Sequence, residues 1–174
     1  MIDVMNIKIC CFLGHRKIEI TTEQKTTLEN IIENLIVNKN VRVFLFGSKS
    51  AFDNLCYDIV SKLKEKYADI KRVYVRCMYE FISDRYKKYL LQSFEETEYA
   101  QKCKGAGRLS YVKRNFEMID KSDICVFYYN AEYLPPTRQF NHKSSRRYQP
   151  KSGTELAYKY ALQKKKEIIN IFNL

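Results

Sequence analysis

KICCFLGHRK, residues 8–17, is an apolar run that stops abruptly at Gly14 and gives way to His15 and Arg16. The run predicts a strand over Ile7–Leu13 that is buried on both faces, because a strand with one wet face would alternate apolar and polar residues. Such a strand belongs inside a parallel sheet covered by helices on both sides. The polar residues that follow stand either in a plain turn or on the floor of a site for a small anion.

The flanking sequence repeats the pattern. Thr21 or Thr22 caps a predicted helix running to about Asn38, with Leu28, Ile31, Ile32, Leu35 and Ile36 at helical spacing. VRVFLF (Val41–Phe46) is a second strand, stopped by Gly47. A helix follows from Ser50 to about Tyr67, then a third strand over Ile70–Arg76. Helices are predicted near Ser83–Phe94 and, beyond the polar stretch KGAGR (104–108), over Tyr111–Lys121. Asp123–Tyr129 is a fourth strand, Ser152–Lys165 the last helix and Glu167–Phe172 a fifth strand. Strand–helix–strand repetition predicts an α/β fold with a mostly parallel sheet of five or more strands and right-handed crossovers.

AEYLPPTRQFNHKSSRRYQP (131–150) breaks the pattern. It has adjacent prolines, four basic residues and little hydrophobic period, and it is too long for a plain connection. It is expected to be a mobile lid or a disordered loop.

Bulk composition narrows the function classes. A chain of 174 residues fits one domain, 1–174, and buries roughly 70% of its unfolded surface. Apolar content of 45% and charged content of 29% suit a soluble globular protein. No apolar stretch nears the ~18 residues of a membrane span, and the N-terminus lacks the pattern of a secretory leader. The six cysteines include no CxxC pair and are expected to be buried thiols in a reducing cytoplasm. With two histidines and no ligand spacing, neither a metal nor a cofactor is expected. The net charge of +11 invites a nucleic-acid partner, but the basic residues are spread along helix faces such as 61–67 and a helix end at Lys164–Lys166. Nucleic acid is therefore the disfavoured partner, and membrane is excluded.

The polar chemistry collects after the strands. Gly14-His15-Arg16 follows the first, Gly47-Ser48-Lys49-Ser50 the second, and Arg76 ends the third. Tyr128-Tyr129-Asn130 ends the fourth, and Lys151-Ser152-Gly153-Thr154-Glu155 opens the last helix. A parallel sheet brings all of these to one edge, where ligands of such folds gather. Glycine admits close approach, helix starts offer N–H groups to phosphate, and arginine offers bidentate contacts. Each piece also has a plain reading: Gly47-Ser48 as a turn and cap, Ser152-Gly153-Thr154 as a cap, His15 as a turn histidine. Neither GxGxxG nor GxxxxGK[ST] is present. Together the five loop ends favour an anion-binding crevice.

CFLGHR (11–16), FLFGSKSAFD (44–53), RVYVR (72–76), YVKRNFEMIDKSDICVFYY (111–129) and QPKSGTELAYKYA (149–161) resemble, in this order, the SLOG superfamily, and most of all its small stand-alone YpsA-like branch. The resemblance implies a Rossmann-like three-layer sandwich in a bacterial or phage protein. It also implies glycine-bearing loops that bind nucleotides or nucleotide-derived signals. Relatives include the cytokinin-activating phosphoribohydrolases, the DNA-processing protein of transformation and antiphage sensors of NAD-derived cyclic nucleotides; many form dimers, so a homodimer is a candidate assembly. Gly14 and Arg16 match the first loop, Gly47 and Ser48 the second, and Gly153 and Thr154 the phosphate-binding GT. Arg114 falls on an arginine of the phosphoribohydrolases, with Asn115 as a weaker candidate.

One departure matters. The phosphoribohydrolases carry their catalytic glutamate three residues after GT, and Ala157 stands there. Glu155 is a nearby carboxylate, but helix geometry turns it about 200° from position 157. The preferred expectation is a module that binds a nucleotide or NAD-derived small molecule for sensing or sequestration. The alternative is a hydrolase of nucleotide N-glycosidic bonds, with Glu155 as the candidate catalytic residue and His15 as acid or base. The ligand-binding set is His15, Arg76 and Ser152 with the loop residues above.

Overall fold

The predicted central strand is present as β1 (Lys8–Gly14) in the computed structural model, which describes residues 6–174. The reading of the first five residues as lacking a leader lies outside the described residues. The chain continues through α1 (Thr22–Lys39), β2 (Val41–Phe46), α2 (Ala51–Lys66), β3 (Lys71–Arg76), α3 (Asp84–Leu90) and β4 (Glu96–Tyr99). It then runs through α4 (Ser110–Lys121), β5 (Ile124–Tyr128), the short strands β6 (Arg138–Gln139) and β7 (Arg147–Tyr148), α5 (Gly153–Gln163) and β8 (Glu167–Asn170).

Six of the strands form one parallel sheet in the order β4-β3-β2-β1-β5-β8. The chain builds outward from β1 to β4, then returns to place β5 on the free side of β1. Strand order therefore reverses between β1 and β5, whose carboxyl ends meet in register at Gly14 and Tyr128.

Side chains of β1 alternate between two apolar cores, as the pleat requires. Cys10 and Phe12 face α1 and α2, packing with Leu28, Ile32, Phe52 and Cys56. Cys11 and Leu13 face α4 and α5, packing with Met118, Ile119, Ala157 and Ala161. The result is a Rossmann-like α/β three-layer sandwich. Ala157 and Ala161 are fully buried, one turn apart, so α5 presents small side chains to the sheet. A carboxylate at position 157 would stand inside that core.

The helices start where their caps predict. Thr21 and Gln24 form a reciprocal capping box on α1, and Ser50, Ser83 and Ser152 cap α2, α3 and α5.

Three expectations need correction. The helix expected over Ser83–Phe94 ends at Leu90, and Glu96–Tyr99 becomes an edge strand. Its sequence, ETEY, is too polar to read as a strand. It is held by β3 and by Arg72, whose Nη2 donates to Glu95 Oε1 at 2.7 Å and Nε to Oε2 at 3.1 Å. Segment 131–150, expected as a mobile lid or a disordered loop, is not structureless, because β6 and β7 pair as an antiparallel hairpin. The last strand stops at Asn170 and turns into a short 3-10 helix at Ile171–Asn173. All six cysteines are buried and unpaired with one another. No helix of the described residues is long and apolar enough to cross a membrane.

Gly14 has a packing role that its place in the first loop did not reveal. A Cβ there would lie 2.5–2.6 Å from three atoms of the Phe52 side chain, so the glycine lets α2 press against β1. Gly14→Ala should destabilise the fold by about 1–3 kcal/mol, the usual range for overpacking, as measured by chemical denaturation.

Candidate functional site

At the reversal point the polar residue after β1 is a tie between strands. The His15 backbone N–H donates to Tyr128 O at 3.3 Å, and His15 Nε2 accepts from the Asn130 N–H at 3.0 Å. The imidazole is only 3% exposed and lies under Tyr133, with ring centroids 4.3 Å apart. Nε2 can accept only in the neutral ring, so the proton sits on Nδ1. Burial holds the His15 pKa below its ordinary value. Arg16, next along, is exposed, and its carbonyl accepts the first N–H of α2 from Ala51. Its guanidinium has no acceptor among the described residues.

The loop after β2 is more tightly built. Asp53 Oδ2 accepts from the Ser48 N–H at 2.7 Å and from the Ser48 hydroxyl at 2.5 Å. The same hydroxyl accepts from the Ser50 N–H at 3.2 Å, and Ser50 Oγ caps Asp53. Ser48 therefore spends its one donor inside the loop and keeps acceptor capacity alone. Asp53 is 3% exposed, and its Oδ1 is a buried acceptor with no hydrogen-bond partner among the described residues. Burial raises the Asp53 carboxyl to about 6, although Ser48 and the positive charge of Arg114 work in the opposite direction.

Arg114 lies across this loop. A Cβ on Gly47 would come within 2.6 Å of Arg114 Nε and of Met118 Sδ, so glycine is required there by the arginine. The guanidinium is 4% exposed and sits 5.5 Å over the Tyr111 ring. Its hydrogen bonds are long: 3.4 and 3.3 Å to Asn115 Oδ1, and 3.7 Å to Cys77 Sγ. No carboxylate of the described residues forms an ion pair with it. Five N–H donors thus share one amide oxygen and one sulfur. A buried cation so poorly matched is unusual, because burial of charge is costly without a partner.

Arg76 is spent differently. It is 9% exposed and donates to Thr97 Oγ1 at 3.2 Å and to the carbonyls of Tyr79 and Glu80. It thereby holds the turn in which Tyr79 takes a positive φ of 61°. At the start of α5, Ser152 and Thr154 are buried, and Ser152 Oγ caps the N–H of Glu155. A methyl group on Gly153 would meet no atom within 4 Å, so of Gly14, Gly47 and Gly153 only the last faces open space. Glu155 points to Lys159, one turn on, and that ion pair holds its carboxyl below the ordinary range. A carboxylate so held is a poor proton donor near neutral pH.

Of the sequence-derived set, the structure brings Gly47, Arg114 and Asn115 together, while Ser48 binds Asp53 in the adjoining loop. It ties His15 into the β1–β5 seam and Arg76 into its own turn, and it leaves Arg16 and Gly153 open. Asp53 was missed as a site residue. Its signal was the Ser50-x-x-Asp53 spacing, which places a carboxylate in the first turn of α2. No group of three or more histidine, cysteine or acidic side chains among the described residues is arranged to hold a metal ion. In comparisons with known proteins, no family model and no curated protein matches the sequence.

Asp53 makes the site pH-sensitive. Its folded pKa of about 6 exceeds the unfolded 3.8, so it adds stability at low pH that is lost as pH rises toward 6 and beyond. His15 acts oppositely: its lowered folded pKa adds stability above the unfolded 6.5, lost as pH falls through the folded value. Between pH 7 and 5, the wild-type chain should gain about 1 kcal/mol relative to Asp53→Asn, read from denaturation curves at both pH values.

Proposed function

We propose that this chain binds a nucleotide or an NAD-derived small molecule in a crevice at the carboxyl edge of the sheet, as a sensor or sequestering module of the SLOG type. The observation that carries this reading is Arg114: a buried guanidinium in no ion-pair contact with a carboxylate, lying over Gly47 at the edge where ligands of parallel sheets gather. A phosphate would give it the partner that the chain withholds. The open N-terminus of α5 at Gly153 offers backbone N–H groups beside the positive end of a helix dipole. Asp53 Oδ1 adds a buried acceptor suited to a sugar hydroxyl or a base amino group. The order of the five sequence motifs supports the family assignment.

The hydrolase reading draws less support. Ala157 is core, and Glu155 is engaged by Lys159.

Ligand-observed proton NMR on AMP, ADP-ribose, NAD and cyclic ADP-ribose tests both readings. Line broadening without new signals is expected. Free-base or anomeric signals growing with time would replace the proposal by catalysis, and Glu155→Gln would then show whether that carboxylate takes part. If all four ligands keep sharp lines, the binding proposal fails. Gly153→Asp gives a sharper check. The side chain has room, and an acid in the first turn suits the helix, so thermal stability should hold. A negative charge at the phosphate position should weaken binding by about tenfold or more.

A further inference from the structure

The β6–β7 hairpin builds a second basic site from residues other than those of the crevice. A concavity of about 560 Å³ lies between it and the turn that leads into α4. Arg108 comes from that turn; Arg138, Phe140, Asn141, His142 and Arg147 come from the hairpin. The volume is that of a small-molecule site. No acidic residue lines it. None of the ion pairs of the described residues involves Arg108, Arg138 or Arg147, although lysines elsewhere pair with carboxylates at Glu29, Glu33, Glu96, Glu98 and Asp120.

Three guanidiniums facing one concavity without a counter-charge repel one another. The hairpin keeps its shape through its own bonds, which also anchor Arg147. Phe140 N–H donates to Arg146 O at 2.9 Å, Asn141 Oδ1 accepts from the Lys143 N–H at 3.0 Å, and Arg147 Nε donates to Thr137 Oγ1 at 3.1 Å. Arg108 and Arg138 make no side-chain hydrogen bond among the described residues, so their donors are available. Phe140 is 74% exposed at the rim and offers a flat apolar face. Arginines with free donors suit a chain of phosphates, and the exposed ring suits a base.

We infer that this concavity binds the phosphate chain of a nucleoside polyphosphate, with Arg108 and Arg138 as the principal donors. The inference stands apart from the crevice reading, since it uses none of the same residues.

Isothermal titration of the full chain with sodium tripolyphosphate and with ATP, at about 150 mM salt, tests it. Saturable binding of both is expected. The double variant Arg108→Ala/Arg138→Ala should bind both about tenfold or more weakly with an unchanged melting temperature, because both side chains are exposed. Gly153→Asp should bind tripolyphosphate as the wild type does. Absence of saturable binding to the wild type, or full binding by the double variant, overturns the inference. Tripolyphosphate binding lost in Gly153→Asp but kept in the double variant would place the anion in the crevice and overturn it too. Binding only of a single-stranded oligonucleotide of about ten residues would overturn it in favour of a strand-tracking surface.

Discussion

His15 ties together two strands that the chain makes more than a hundred residues apart, and it does so with an uncharged ring. The β1–β5 seam is where strand order reverses, so no helix crosses directly over its carboxyl end to close it. The Asn130 N–H on Nε2, the backbone bond to Tyr128 and the tilted ring contact of Tyr133 close it instead. Protonation would turn Nε2 from acceptor to donor and set it against an N–H. The position of the β5 loop, and with it the start of the hairpin segment, depends on that proton staying away.

Beside the seam the chain keeps its awkward charges. Asp53 and Arg114 are both buried and of opposite sign, yet they are not in ion-pair contact. Each is instead given part of what it needs: Ser48 donates to Asp53, and Asn115 accepts from Arg114. A direct pair would satisfy both groups and leave nothing for a ligand. Held apart, they leave one buried acceptor and several donors short of partners. The glycines serve this arrangement through their lack of a side chain, Gly14 for Phe52 and Gly47 for Arg114.

Much of the fold was legible because period and caps agree. The strands β1, β2 and β5 are mostly apolar runs stopped by glycine or polar residues, β3 alternates, and Thr21, Ser50 and Ser152 mark helix starts by type alone. The polar strand β4 was not legible, because an edge strand anchored through Arg72 and Glu95 needs no apolar pattern of its own. The hairpin was obscured by its prolines and by its strands of two residues each. For the site, glycine and arginine positions could be read, but their contacts could not. Nothing in the sequence distinguishes a glycine that admits a ligand from one that admits a phenylalanine. Arg76 and Arg114 look alike in the chain, and only tertiary structure shows the first bound to carbonyls and the second short of acceptors.

The two rims of the main sheet carry charge. On β4, Glu96 pairs with Lys71 and Glu98 with Lys121; on β8, Glu167 pairs with Lys39. Another polypeptide that laid its own strand along either rim would have to strip water from these carboxylates and ammonium groups, with only backbone bonds in return. Lateral growth of the sheet into a fibre-like stack is thus disfavoured on both sides.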